Sequence, residues 1–167
     1  MNRLTHSDFL PDAPPVPFGG RRSLLGTILD DPDLPAIMVT TTDALSLTRL
    51  ADVRRSEEDR AVAFLAHELA RAAVVPPAEI HAQTMTMRSV ARFRLNDNGA
   101  TCEAMLVYPG EASLSDGKLS VLAPVGTALL GLSRGQLMPY VAAEGRVKTL
   151  TLLDVVFQPE ACGLDWR

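Results

Sequence analysis

The sequence predicts an α+β fold: a short antiparallel helical hairpin, or small coiled coil, followed by an antiparallel sheet domain with one short helix. Three observations lead there. Two stretches with helical apolar spacing lie between residues 41 and 75, joined by a short acidic link. From residue 84 the apolar period falls to two, the mark of half-buried strands. The clusters Asn96-Asp97-Asn98-Gly99 and Ser115-Asp116-Gly117-Lys118 then supply turn signals between strands. Helices grouped ahead of strands fit an α+β layout.

The chain has 167 residues, enough for one ordinary domain or two small ones. Hydrophobic residues make up 47% and aromatics 5%, so the core is built mainly from Leu, Val, Ala and Met. The net charge of −4 lacks the basic footprint of a nucleic-acid binder, so contact with DNA is expected only indirectly, through a protein partner. Cys102 and Cys162 come with no CxxC and no His/Cys cluster, which argues against zinc and for structural cysteines. The start, MNRLTHSDFLPDAPP, has no apolar signal region, and no run approaches the ~20 apolar residues of a membrane span. The expectation is a soluble cytoplasmic protein without a membrane partner.

Residues 1–36 hold six of the twelve prolines, with Gly19, Gly20 and Gly26. Proline fixes φ and removes a donor, so this stretch reads as a flexible extension, with a turn of helix at Ser23 to Leu29. Residues 37–80 carry the hairpin. IMVT (37–40) is an extended lead-in. The first helix is capped by Thr42 or Asp43 and shows Leu45, Leu47, Leu50 and Val53 as its stripe. The second helix starts at Ser56 as cap, with Glu57, Glu58 and Asp59 in its first turn. It runs through RAVAFLAHELARAA with Val62, Leu65, Leu69 and Ala72 on one side, and Pro76 and Pro77 stop it. Arms of this length are about 20 Å long at 1.5 Å per residue.

In the sheet region, Ala91 to Leu95 and Thr101 to Tyr108 alternate as strands. LSVL is a further strand, and residues 125–132 read as the short helix. Leu137 to Val141 is a strand in which Pro139 requires an edge or a bulge. Val147 to Phe157 is apolar on both alternating sets, so it reads as a central strand covered on both sides.

No catalytic constellation emerges. His6, His67 and His81 are scattered, and HExxH, GxSxG and GxxxxGK[ST] are missing. No cofactor and no metal site is expected. Met85 and Met87 read as core or strand lead-in rather than as a binding surface. The acids Glu57, Glu58 and Asp59 at the hairpin tip suit helix capping and solubility, with a metal- or protein-facing tip as the other reading.

The stretch KLSVLAPVGTALLGLSRGQ, with VVFQPEACG after it, resembles the C-terminal domain of the Rnk-type regulators of nucleoside diphosphate kinase, in the wider group of Gre transcript-elongation factors. VARFRLNDNG and AMLVYPGEAS fit the same domain in the same order. The resemblance covers about residues 84–163, with the hairpin fitting the family layout and residues 1–36 outside it. It implies an FKBP-like sheet domain that docks on RNA polymerase near the secondary channel, with the hairpin directed at that channel. Pro124, Val125 and Gly126 match the docking loop, and Leu129 and Leu130 match the short helix behind it. Leu122 stands where Gre factors carry an acid. The implied function is a non-enzymatic transcription regulator that competes with Gre factors and affects expression of the kinase. Its arms are too short to bring acids to the polymerase active site. The alternative is an FKBP-like prolyl isomerase or chaperone-type peptide-binding module, whose aromatic pocket would draw on Phe93, Tyr108, Tyr140, Phe157 and Trp166.

Overall fold

The computed structural model describes residues 24–54 and 59–164. In chain order the elements are α1 (Leu24–Leu29), β1 (Met38–Thr40), α2 (Thr41–Val53), α3 (Arg60–Arg71), β2 (Ala73–Val75), β3 (Val90–Leu95), β4 (Ala100–Val107), β5 (Lys118–Ser120), α4 (Pro124–Leu129), β6 (Leu137–Val141) and β7 (Val147–Phe157). The result is α+β, with helices first and the larger sheet second. α1 lies inside the stretch read as a flexible extension, and Ile28 is buried there.

α2 and α3 pack against each other. α2 is capped by Thr40, whose Oγ1 accepts the Asp43 N–H at 3.0 Å, ahead of the caps Thr42 or Asp43 expected from sequence. Its buried side is Asp43, Leu47 and Ala51, an i, i+4 line. The expected stripe is therefore displaced: Leu45 and Val53 are exposed. α3 buries Val62, Phe64, Leu65 and Glu68. Glu68 is only 1% exposed and is matched by Arg71, which donates to it at 2.9 and 2.6 Å. β1 leads into α2, β2 follows α3, and the two strands pair in parallel with Val39 opposite Val74.

The larger sheet has the order β5-β4-β3-β7-β6. It is mixed rather than antiparallel, because β5 runs parallel to β4. No tight turn follows β4. Pro109 and Gly110 open a 3-10 turn, and the chain runs back before Gly117, at φ +68°, turns it into β5. The link between β3 and β4 is the expected four-residue turn, closed by Gly99 at φ +69°. Pro139 lies on the edge strand β6, where a missing ladder donor is tolerated.

β7 is not central and not covered on both sides. It lies between β3 and β6, and the middle strand is β3. Register shifts opposite β3 change the phase of β7, so that Leu150 and Leu152 are buried and the next buried residue is Val155, three positions on. A β-bulge moves apolar residues from both alternating sets onto one face, which is why the sequence looks apolar on both. The opposite face is solvated: Arg92 lies between Glu103 at 3.8 Å and Asp154 at 3.4 Å.

One core cluster runs through both parts. It takes Leu47 and Leu65 from the helices, Phe93, Leu106 and Leu152 from the sheet, and Val125 and Leu129 from α4.

Gln83 supports the bulge from the side. Its amide donates to the Val155 carbonyl at 3.3 Å and accepts the Val155 N–H at 3.2 Å. Gln83→Ala leaves both groups without this partner and should lower stability by about 1–3 kcal/mol, read from urea unfolding. Gln83→Glu should keep the accepted bond and lose less.

Candidate functional site: the α4 stretch and the helix–sheet seam

α4 is short and almost wholly buried. Pro124 occupies its first position, where the missing N–H costs nothing, and Val125, Gly126, Thr127, Ala128 and Leu129 are all buried. Thr127 Oγ1 donates to the Val121 carbonyl at 2.6 Å. Gly126 permits a close approach to the end of β5: a Cβ there would run into the Ser120 carbonyl oxygen. Leu122 is 8% exposed, and its N–H is bonded by Ser120 Oγ at 3.1 Å. Of Leu122, Pro124, Val125, Gly126 and Leu129, only Pro124 is more than marginally accessible. The other four support the loop from within.

The end of α4 binds the helical part. Gly131, at φ +76°, accepts the Met38 N–H of β1 at 3.1 Å and donates to the Met85 carbonyl at 2.8 Å. A Cβ on Gly131 would meet the Met38 carbonyl oxygen. The stretch from Leu122 to Leu132 is therefore a joint between the sheet and the foot of the helices.

A second joint centres on Asp43. Its Oδ2 accepts the Met87 N–H at 3.1 Å from the segment leading into β3. Burial, with Glu160 adding repulsion, pushes the Asp43 carboxyl up from 3.8 to about 6, while the Met87 N–H, Thr40 and Arg88 pull it down. Ser46, one turn along α2, meets the Tyr108 hydroxyl, whose pKa burial raises. Arg88 holds φ +62°, the one positive value among described non-glycine residues. Its guanidinium lies 5.5 Å from the Tyr108 ring centroid and 3.1 Å from Glu111.

The FQPEA motif closes on this joint. Gln158 donates to the carbonyls of His81 at 2.9 Å and Thr84 at 2.8 Å. Glu160 Oε2 accepts from Thr86 Oγ1 at 2.8 Å. Asp43, Arg88 and Glu160 escaped sequence reasoning as a group because they are far apart in the chain. The one local signal was an acid in the first turn of α2 that also serves a distant backbone donor.

The remaining candidates separate. Glu57 and Glu58 lie outside the described residues. Asp59 caps α3, its Oδ1 accepting from Ala61 at 3.0 Å and Val62 at 3.3 Å. It is the residue before the helix rather than part of its first turn. Met85 and Met87 are buried. Cys102 is buried and Cys162 exposed. Among the described residues no group of three or more His, Cys, Asp or Glu could hold a metal ion, and no helix is long and apolar enough to cross a membrane. Phe93 and Tyr140 are fully buried and present no ring to a peptide, and Trp166 lies outside the described residues.

Comparison with known proteins agrees with this two-part organisation. Residues 35–75 match the family described as Rnk N-terminus, and residues 80–156 match the transcription elongation factor GreA/GreB C-terminal family. The chain is 40% identical over 96 residues to the regulator of nucleoside diphosphate kinase of Escherichia coli K12, spanning 58% of this chain and 71% of that protein. It is 29% identical over 87 residues to transcription elongation factor GreA of Flavobacterium johnsoniae, spanning 52% and 55%. Among solved structures, the transcription elongation factor GreA/GreB from Nitrosomonas europaea is similar at a TM-score of 0.59 and 36% identity, covering 74% of this chain and 99% of that one.

Two expectations follow from the joints. Gly126→Ala forces backbone to move at the Ser120 carbonyl and should destabilise by several kcal/mol, whereas Pro124→Ala should cost about 1 kcal/mol or less by thermal unfolding. Asp43 binds its proton more tightly folded than unfolded. Its contribution to stability is therefore fully present below pH 3.8 and is lost as pH rises through 6. Asp43→Asn removes this dependence while keeping an acceptor for Met87. The stability of Asp43→Asn relative to wild type should rise by about 2–3 kcal/mol between pH 4 and pH 7.5 in urea titrations.

Proposed function

Because the chain belongs to the family of the regulators of nucleoside diphosphate kinase, with a C-terminal part of GreA/GreB type, we propose that it is a non-enzymatic transcription regulator that binds RNA polymerase near the secondary channel. It competes there with Gre factors, and one consequence is altered expression of nucleoside diphosphate kinase. The partner is the polymerase, so DNA is reached indirectly, and the site of action is the cytoplasm. The observation that carries this reading is that both parts match in order, at 35–75 and 80–156.

In this reading the functional units are the extension 1–36, the α2–α3 hairpin within 37–80, and the FKBP-like domain 84–163. The docking contact is made by Pro124 at the start of α4, with Leu122 at its margin. Val125, Gly126 and Leu129 hold that corner rigid from inside, and a rigid apolar corner is suited to anchor an interface. The hairpin extends toward the channel with Glu57, Glu58 and Asp59 at its tip. Its helices have 13 and 12 residues, about 20 Å each at 1.5 Å per residue. The Asp59 carboxylate is already engaged by two helix N–H groups. Short arms and an occupied aspartate favour occlusion of the channel over stimulated transcript cleavage.

The test is binding of the full chain to RNA polymerase core enzyme. Pro124→Asp should weaken binding at least about tenfold, or 1.4 kcal/mol, with little change in melting temperature. A Gre factor should displace the wild type. Unchanged affinity for Pro124→Asp would remove the docking assignment, and no binding at micromolar concentration would remove the polymerase reading itself.

A further inference from the structure

The family match begins at residue 35, and the way the chain is held changes at the same place. From Pro35 onward it is fixed to the body. The Pro35 carbonyl accepts from Arg71 Nη1 at 2.5 Å, the Ala36 carbonyl accepts from Gln136 Nε2 at 3.0 Å, and Ile37 is 2% exposed. Before it, Asp30, Asp31, Pro32 and Asp33 are exposed. Among the described residues the side-chain bond in that stretch is local, Asp31 Oδ1 accepting the Asp33 N–H at 2.9 Å.

Ahead of this exposed stretch lies α1, packed against α3 and β6. It has six residues, LLGTIL, with no acid in its first turn and no base in its last. It contains Gly26 and two β-branched residues, which weaken a helix. A helix this short does not persist in water alone, so α1 is helical only while docked. Its buried anchor, Ile28, stands apart from the main core cluster, while Leu29 and Leu34 lean on that cluster from outside. Among its described side chains Ile28 alone is buried, which sets little against the ordering of about ten residues.

We propose that residues 24–34 form a strap that opens and closes on the α3–β6 surface as a unit, without unfolding the rest of the chain. Asp30–Asp33 is its hinge, Pro35 and Ala36 its fixed end, and α1 the resident occupant of that seat. Local opening exposes that seat and closure covers it. The strap is independent of the polymerase reading, and neither of its tests involves polymerase.

The first test is amide hydrogen exchange on the full chain. Residues 28–31 should show protection at least about 100-fold lower than Phe93 and Leu152 in the sheet. The second uses Ile28→Asp in the full chain. Its melting temperature should stay within about 5 °C of wild type while residues 28–31 lose protection. A synthetic peptide of residues 24–34 should then bind the variant at least about tenfold more tightly than it binds wild type, whose seat is filled. The proposal is overturned if α1 is as protected as the sheet. It also fails if Ile28→Asp lowers melting by more than 5 °C or leaves exchange unchanged, or if the peptide binds neither form.

Discussion

The bond from the Met87 N–H to the buried Asp43 carboxylate is the constraint on which the arrangement of this protein depends. It joins the first turn of α2 to the segment that leads into β3, and it fixes the rotation of α2. With Asp43 turned inward, Leu47 and Ala51 follow on the same side into the shared core, and Leu45 and Val53 are left outside. A carboxylate is a costly way to make such a joint. Burial opposes its charge, and Glu160 opposes it further. The geometry persists because the Met87 N–H needs an acceptor there, and because the Gly131–Met38 bond and the β1–β2 pair hold the foot of the helices in register.

The two most distinctive stretches of the sequence serve this same region. APVGTALLGL supplies a glycine where β5 and α4 nearly touch, a threonine that bonds the Val121 carbonyl, and a second glycine against β1. FQPEA supplies Gln158 and Glu160, which bind the segment from His81 to Thr86. Their residue types are demanded by close backbone approaches and buried polar partners. Such motifs mark the fold of a family, and of the residues expected to dock they leave only Pro124 more than marginally accessible.

Much of the fold was legible because it follows local rules. The alternation of β3 and β4, the Asn-Asp-Asn-Gly turn, the edge position of Pro139 and the apolar side of α3 are each written within ten residues or so. Other features were hidden because they are set from a distance. The phase change in β7 depends on its register with β3 and on Gln83, 72 residues before Val155. The parallel pairing of β5 depends on the path taken by the loop after Val107. The rotation of α2 depends on Met87, 44 residues away. The family was legible from motif content, yet the burial of Leu122, Val125, Gly126 and Leu129 was not, since composition does not reveal it.

The claim that Asp43 sets the pose of the helices is best tested by distance. Spin labels at Ala66 on the exposed side of α3 and at Thr101 on the open face of β4, with Cys162 replaced by Ser, report helix against sheet by pulsed electron spin resonance. One narrow distance distribution is expected for wild type and for Asp43→Asn, and a broadened or shifted one for Asp43→Ala with the sheet still folded. The same narrow distribution in Asp43→Ala would contradict it, and would assign the pose to the Gly131–Met38 contact and the core alone.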